Sequence, residues 1–96
     1  MTDFKLSPEA FDDIDEIWEF IAQDNIDAAD RVREEIFSAC ERLASVPGMG
    51  HLRQDLADEP LRFWTVYSYL IIYREDSDPL EIVRVLHAAR DIKNLL

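Results

Sequence analysis

The hydrophobic residues in the second half of the chain fall into three short runs. The runs cover Leu61–Val66, Tyr69–Arg74 and residues 81–87, and turn-like pieces separate them. They are rich in β-branched and aromatic residues, which is typical of adjacent antiparallel strands. The sequence therefore predicts three consecutive strands around which the rest of the chain packs.

The middle run is apolar on both of its faces. Alternation divides it into Leu70, Ile72 and Arg74 on one face and Tyr69, Ile71 and Tyr73 on the other. A strand with water on one side usually alternates apolar with polar residues. We therefore expect both faces to be covered, either within the chain or with one face left to a partner. A chain with one face bare is expected to associate with itself. The same alternation groups Ile82, Arg84 and Leu86 in the last run.

The first half of the chain predicts a helical hairpin. Ser7 caps the first helix, and Pro8 occupies its first turn, where a missing N–H costs little. The apolar stripe of this helix is Phe11, Ile14, Trp18 and Ile21, widened by Ile17 and Ala22. Asn25 caps a second helix over residues 26–46, and the short connection makes the two helices antiparallel. The apolar positions of the second helix are Ala29, Val32, Ile36, Ala39 or Cys40, Leu43 and Ala44.

Short segments complete the predicted fold. Residues 3–6 suit an edge strand, and Pro47-Gly48-Met49-Gly50 ends the second helix. Residues 51–60 are expected to form a loop, and residues 92–96 a tail that packs back on the body. The prediction is a single α+β domain over residues 1–96, in the order β-α-α-β-β-β. Its helical hairpin packs on a small, twisted antiparallel sheet.

Negative charge is concentrated in the first half. Residues 1–46 hold 13 acidic and 4 basic residues, whereas residues 47–96 hold 8 and 6, and the net charge is −11. Binding to a nucleic-acid backbone depends on Lys and Arg, so we expect a protein partner and no direct nucleic-acid binding. An acidic run in the first helix comprises Asp12, Asp13, Asp15, Glu16 and Glu19. It is either a docking surface for a basic partner or a solvated helix face.

The sequence also predicts the compartment. It has one cysteine, no signal-peptide pattern at its start and no apolar run long enough to span a membrane. We therefore expect a cytoplasmic protein. Cys40 is interpreted as a small core residue; the alternative is a nucleophile, for which no base stands at a recognisable spacing.

One group of side chains could carry chemistry. It comprises Arg62, Arg74, Arg84, His87 and Arg90. A ribonuclease that activates the 2′-hydroxyl needs a base, a cation and an acid. His87, Arg74 and Arg84 would supply two of these roles, and Asp55 or Glu59 the third. Alternatively, the arginines pair with the surplus acids and His87 hydrogen-bonds locally. No phosphate loop, zinc spacing or nucleophile elbow is present, so no cofactor or metal is expected.

Four segments together resemble a known family. They read LSPEAFDDIDEIWEFIA, AADRVREEIFSACERLASVPGMG, YLIIYRE and EIVRVLHAARD. In this order they are similar to bacterial toxins of the RelE/ParE superfamily, ParE branch, from type II toxin-antitoxin systems. The resemblance implies a helical hairpin on a twisted antiparallel sheet. It also implies a cognate ParD-like antitoxin that wraps the toxin and covers the second apolar sheet face.

The resemblance implies a function as well. ParE-like toxins inhibit DNA gyrase and serve in plasmid stabilisation, whereas the RelE branch cleaves mRNA on the ribosome. RelE-type nucleases have a lysine-rich surface and often a C-terminal tyrosine, but here the only lysines are Lys5 and Lys93 and no tyrosine follows Tyr73. A gyrase-inhibiting toxin is therefore expected. A RelE/YoeB-like endoribonuclease and an inactive antitoxin-binding relative are the alternatives.

Contacts to the antitoxin or the target are expected from the sheet and the loop before it. The candidates are Arg53, Arg62, Trp64, Tyr69, Ile71, Tyr73, Arg74, Arg84, His87 and Arg90. In the turn after the first strand of the trio, where ParE-like sequences often carry glycine or arginine, this chain has Tyr67-Ser68.

Overall fold

The fold is a helical hairpin packed on a five-stranded sheet. A computed structural model describes residues 3–57 and 60–96. In chain order the strands are β1 Phe4–Leu6, β2 His51–Leu52, β3 Leu61–Val66, β4 Tyr69–Arg74 and β5 Leu80–His87. The helices are α1 Pro8–Ala22, α2 Ile26–Ser45 and α3 Ile92–Leu95, with a single 3-10 turn at Pro47–Met49. The predicted α+β class and the helical hairpin are confirmed.

Helix α1 begins as predicted, and its buried stripe departs from the prediction at Phe11. The Ala10 N–H donates to Oγ of Ser7 at 3.0 Å, which caps the helix. Ala10, Asp13 and Ile14 are buried, whereas 56% of Phe11 is exposed. The assignment of Phe11 to the buried stripe is therefore wrong. The small side chain of Ala10 faces the sheet instead, where a phenylalanine would hold the helix away.

Helix α2 follows its predicted pattern closely. The Ala28 N–H donates to Oδ1 of Asn25 at 3.0 Å, so Asn25 is the cap. The fully buried side chains are Ala29, Ile36, Ala39, Cys40 and Leu43. Burial and, as a smaller contribution, the charge of Glu41 together raise the pKa of the Cys40 thiol to about 12. A neutral, enclosed thiol fits the interpretation of Cys40 as a core residue.

The sheet has the strand order β1-β5-β4-β3-β2 and is mixed. Neighbouring strands from β2 to β5 are antiparallel, but β1 pairs in parallel with β5, from Phe4 opposite Leu80 to Leu6 opposite Ile82. The parallel pair is possible because the whole helical hairpin connects β1 to the rest of the sheet. The predicted loop over residues 51–60 also starts too early, since His51 and Leu52 pair with β3.

Both faces of the sheet are covered by the chain itself. On one face, Ile71, Tyr73 and Val85 pack against the two helices. On the other face the buried residues are Leu61, Phe63, Leu70, Ile72 and Leu86. Ile92 of α3 joins this second cluster, with Leu56, Ala57, Val83 and Leu95 packed around it. The tail packs back through Ile92 and Leu95, although 42% of the terminal Leu96 is exposed, and it occupies the face that the resemblance assigned to an antitoxin. The expected self-association through a bare face therefore loses its basis.

A β-bulge interrupts the pairing of β4 with β5. Tyr73 lies opposite Ile82 and Ile72 lies opposite Arg84, so Val83 is an extra residue. Ile82 and Val85 consequently belong to the helix-side cluster, whereas Leu86 belongs to the other. The prediction that Ile82, Arg84 and Leu86 share a face is wrong because simple alternation fails across a bulge.

Candidate functional site

A partly buried ion pair joins α1 to β5 next to the bulge. Nε and Nη2 of Arg84 donate to the two carboxylate oxygens of Asp13 at 2.7 and 2.8 Å. The same carboxylate accepts the Val85 N–H at 3.0 Å. The pKa of Arg84 is raised, first by the hydrogen bond to Asp13 and further by the charges of Asp13, Glu9 and Glu16. Asp13 thus accepts a backbone N–H of β5 that a neighbouring strand would otherwise accept.

Ser7 also satisfies a backbone group of β5, and together Asp13 and Ser7 cap the edge of this strand. Strand β1 pairs with β5 only as far as Ile82, whose carbonyl accepts the Ser7 N–H at 3.0 Å. The Ser7 hydroxyl then donates to the Val83 carbonyl at 2.7 Å. Beyond Ile82, side chains of α1 and its cap therefore replace the backbone of β1.

A groove of about 390 Å³ opens beside this cap, between α1 and the sheet. On the helix side it is lined by Asp13, Glu16, Ile17 and Phe20. The Phe20 side chain is apolar and large, yet 72% of it is exposed. The volume falls within the range of about 300–1,000 Å³ that is usual for ligand pockets. The groove is therefore large enough to receive part of another molecule.

Aromatic and basic side chains form the sheet side of the groove. Tyr69, Val85, His87 and Arg90 line it. The rings of Tyr69 and His87 meet edge to face with centroids 5.4 Å apart. Partial burial raises the pKa of the Tyr69 hydroxyl. Nδ1 of His87 accepts the Ala89 N–H at 3.0 Å, so this nitrogen has a local structural role.

The residues of the nuclease hypothesis are not brought together. Arg74 lies opposite Glu81 and Tyr69 lies opposite His87. Arg74 and His87 are therefore at opposite ends of the β4–β5 pair, roughly 17 Å apart at the usual rise per residue. Nε of Arg74 donates to Glu81 at 3.1 Å.

The other residues of that hypothesis do not complete it. Arg84 is held by Asp13. Asp55 accepts two hydrogen bonds from Arg53 in an exposed loop, and Glu59 lies outside the described residues. The structure thus supports the alternative that the arginines pair with acids.

Two predicted contact residues lie in the interior. Ile71 and Tyr73 are both 0% exposed and cannot touch a partner. The Tyr73 hydroxyl donates to the Pro47 carbonyl at 2.6 Å and accepts the Gly50 N–H at 2.9 Å. Arg62 also serves this junction, because its Nη1 donates to the Gly50 carbonyl at 2.8 Å.

Arg62 and Trp64 have other partners and do not line the groove. Nε of Arg62 lies 2.8 Å from Glu75, an ion pair that is not aligned for a hydrogen bond. Trp64 is half-buried and stacks on His51 with centroids 6.4 Å apart. Of the ten predicted contact residues, the groove brings together Tyr69, His87 and Arg90.

Sequence reasoning missed the helix side of the groove. Asp13 belongs to the acidic run by composition, yet it stands three residues after the buried Ala10 and one before the buried Ile14. An acid on that face needs a cationic partner, and this spacing was the available signal. Phe20 had a similar signal, since it follows Ile17 by three residues.

The described part of the chain contains neither a helix that could cross a membrane nor a cluster of metal ligands. Over residues 3–57 and 60–96, no helix has the length and apolar character that crossing a membrane requires. The same residues contain no group of three or more His, Cys, Asp or Glu side chains placed to hold a metal ion.

These features define a small α+β domain with a partly apolar groove beside its sheet. The chain belongs to the ParE toxin family of type II toxin-antitoxin systems (parDE), whose family model matches residues 4–92. A solved structure described as the chromosomal ParDE toxin-antitoxin system from P. aeruginosa has the same fold, with a TM-score of 0.72. The two chains are 20% identical, and the alignment covers 91% of this chain and 96% of the other. A comparison with curated proteins found no match.

Proposed function

We propose that this chain is a cytoplasmic toxin that inhibits DNA gyrase and is neutralised by a cognate ParD-like antitoxin. The observation that carries the proposal is membership of the ParE toxin family across residues 4–92. The separation of Arg74 from His87 along the β4–β5 pair supports it, because an mRNA nuclease would need its catalytic groups within reach of one phosphate.

Charge also favours a protein target over a nucleic acid. The chain has a net charge of −11, and its first half supplies most of the excess. A field of this sign repels phosphate backbones and attracts basic protein surfaces. Contact with DNA therefore occurs through gyrase and not through the toxin itself.

The test is a gyrase reaction on supercoiled plasmid with ATP. We expect the purified chain to produce linear DNA once gyrase is denatured, because a poisoned enzyme is trapped with cut DNA. Prior mixing with the cognate antitoxin should abolish the linear product. A folded chain that yields no linear DNA would overturn the proposal.

An endoribonuclease is the second candidate. The observation that favours it is the exposed His87 next to Arg90 in the groove, where a base and a cation lie near each other. The His87→Ala variant separates the two functions. Gyrase poisoning should persist in that variant, whereas ribosome-dependent mRNA cleavage that uses His87 as its base should disappear.

A further inference from the structure

The edge of β5 that faces the groove has two unpaired backbone groups. The Ala88 N–H donates to the Ser68 carbonyl at 2.8 Å, and Leu86 lies opposite Leu70. In an antiparallel pair the hydrogen-bonding direction alternates from residue to residue. Residues 86 and 88 therefore bond to the β4 side, and the backbone groups of Val85 and His87 point away from it. The Val85 N–H confirms this direction, since it reaches Asp13 on α1.

Most polar groups on this open edge are already satisfied. Ser7 takes the Val83 carbonyl, Asp13 takes the Val85 N–H, and the His87 carbonyl accepts the Arg90 N–H at 3.0 Å. Within residues 3–57 and 60–96, this leaves the Val85 carbonyl and the His87 N–H without partners. Both residues line the groove, so a chain lying there would meet these two groups.

The two open groups match a parallel neighbour. In a parallel ladder, one residue of the added strand donates to the carbonyl before its opposite residue and accepts from the N–H after it. Val85 and His87 stand in that relation to Leu86. An antiparallel neighbour would instead pair with both the N–H and the carbonyl of one residue. In Val85 the N–H is already taken by Asp13, and in His87 the carbonyl is already taken by Arg90. Strand β1 already pairs in parallel with the same edge up to Ile82.

The geometry points to a parallel, extended segment of the antitoxin, seated in the groove and hydrogen-bonded to Val85 and His87. The assignment to the antitoxin rests on the proposed function. Strand addition to an open edge is a known mode of peptide recognition. It differs from docking of a helix, which would leave both backbone groups unpaired.

The chemistry of the segment follows from what surrounds the edge. The residue opposite Leu86 turns its side chain away from α1, so the residues before and after it point towards α1. There they meet Ile17 and the exposed Phe20, which favour an apolar side chain. They also meet Glu16, which has no ion pair among the described residues. We therefore expect one apolar and one basic residue two positions apart.

The test compares His87→Pro with His87→Ala in binding to the purified antitoxin. Both variants lose the imidazole, but only proline loses the N–H at position 87. Proline is tolerated on a strand edge whose N–H faces outwards, and thermal denaturation of the free variants checks that both fold. We expect the proline variant to bind about tenfold more weakly than the alanine variant, the effect of one lost hydrogen bond.

Amide hydrogen exchange on the wild-type complex provides a second measurement that does not depend on folding of a variant. We expect the antitoxin to protect the His87 N–H. Equal affinity of the two folded variants, or an unprotected His87 amide, would overturn strand addition. The proposed function would still stand if gyrase poisoning were reversed by the antitoxin. A wild-type chain that fails to bind the antitoxin would overturn both. If the free chain forms a dimer that His87→Pro abolishes, the edge of β5 binds a second copy of this chain, and the proposal would be overturned.

Discussion

Asp13 shows how one residue can serve both the fold and the groove. Its side chain is 8% exposed, and it satisfies Arg84 as well as the Val85 N–H. A carboxylate at this position is recognised as structural only when β5 is known to lack a neighbour beyond Ile82. The sequence shows the acid and the arginine, but their separation of 71 residues conceals the pair.

Removing this carboxylate should destabilise the protein strongly. We expect Asp13→Ala to lower the free energy of unfolding by about 3 kcal/mol, because it removes the counter-ion of a partly buried guanidinium and leaves the Val85 N–H unpaired. The matched control is Asp15→Ala on the exposed face of the same helix, which should change stability by less than about 0.5 kcal/mol. Urea denaturation measures both. Equal effects of the two substitutions would contradict the structural role of Asp13.

Tyr67 occupies a backbone conformation that suits glycine better. Its φ is 54°, within the left-handed region, and its side chain is 57% exposed at the tip of the β3–β4 hairpin. We expect Tyr67→Gly to raise the free energy of unfolding by about 0.5–1 kcal/mol, since the strain relieved exceeds the entropy that glycine loses. Ser68→Gly, at a position without positive φ, should not stabilise the protein. Stabilisation by Ser68→Gly alone would contradict the assignment of strain.

At the scale of elements, the helices were easier to predict than the edges of the sheet. Caps at Ser7 and Asn25 and the apolar period of α2 depend on local chemistry, and the structure confirms them. The bulge at Val83 and the parallel pairing of β1 depend on contacts between distant segments, which a single sequence does not reveal. These two features shape the groove, so its existence could not be predicted. Tyr69, His87 and Arg90, which line it, were predicted only as contact residues.

The junction between the 3-10 turn and β2 offers a test of packing. A Cβ added at Gly50 would lie 2.5 Å from the Tyr73 hydroxyl and 3.1 Å from the Phe63 carbonyl. Since Tyr73 is fully buried and cannot move aside, we expect Gly50→Ala to cost about 2 kcal/mol of stability.

Gly48→Ala is the matched control for this junction. A Cβ there would meet only the flexible carboxylate of Glu75 at 3.3 Å, so the change should stay within about 0.5 kcal/mol. Thermal unfolding distinguishes the two variants. A Gly50→Ala protein as stable as Gly48→Ala would contradict the packing described around Tyr73.

At the scale of the whole molecule, the chain covers both faces of its own sheet. The tail and the loop before β3 enclose the second apolar cluster, while the helical hairpin encloses the first. What the described residues leave open is an edge and a groove, not a bare face. The fold class and the family were therefore predictable from the sequence, whereas the open edge and the groove were not.

The most direct test of the central claim is the amount of linear plasmid that gyrase releases after exposure to this chain. We expect linear DNA with the wild-type chain and with His87→Ala, and its loss when the antitoxin is added first. Gyrase inhibition would be contradicted by a folded wild-type chain that produces no linear DNA but cuts ribosome-bound mRNA in a reaction that His87→Ala abolishes.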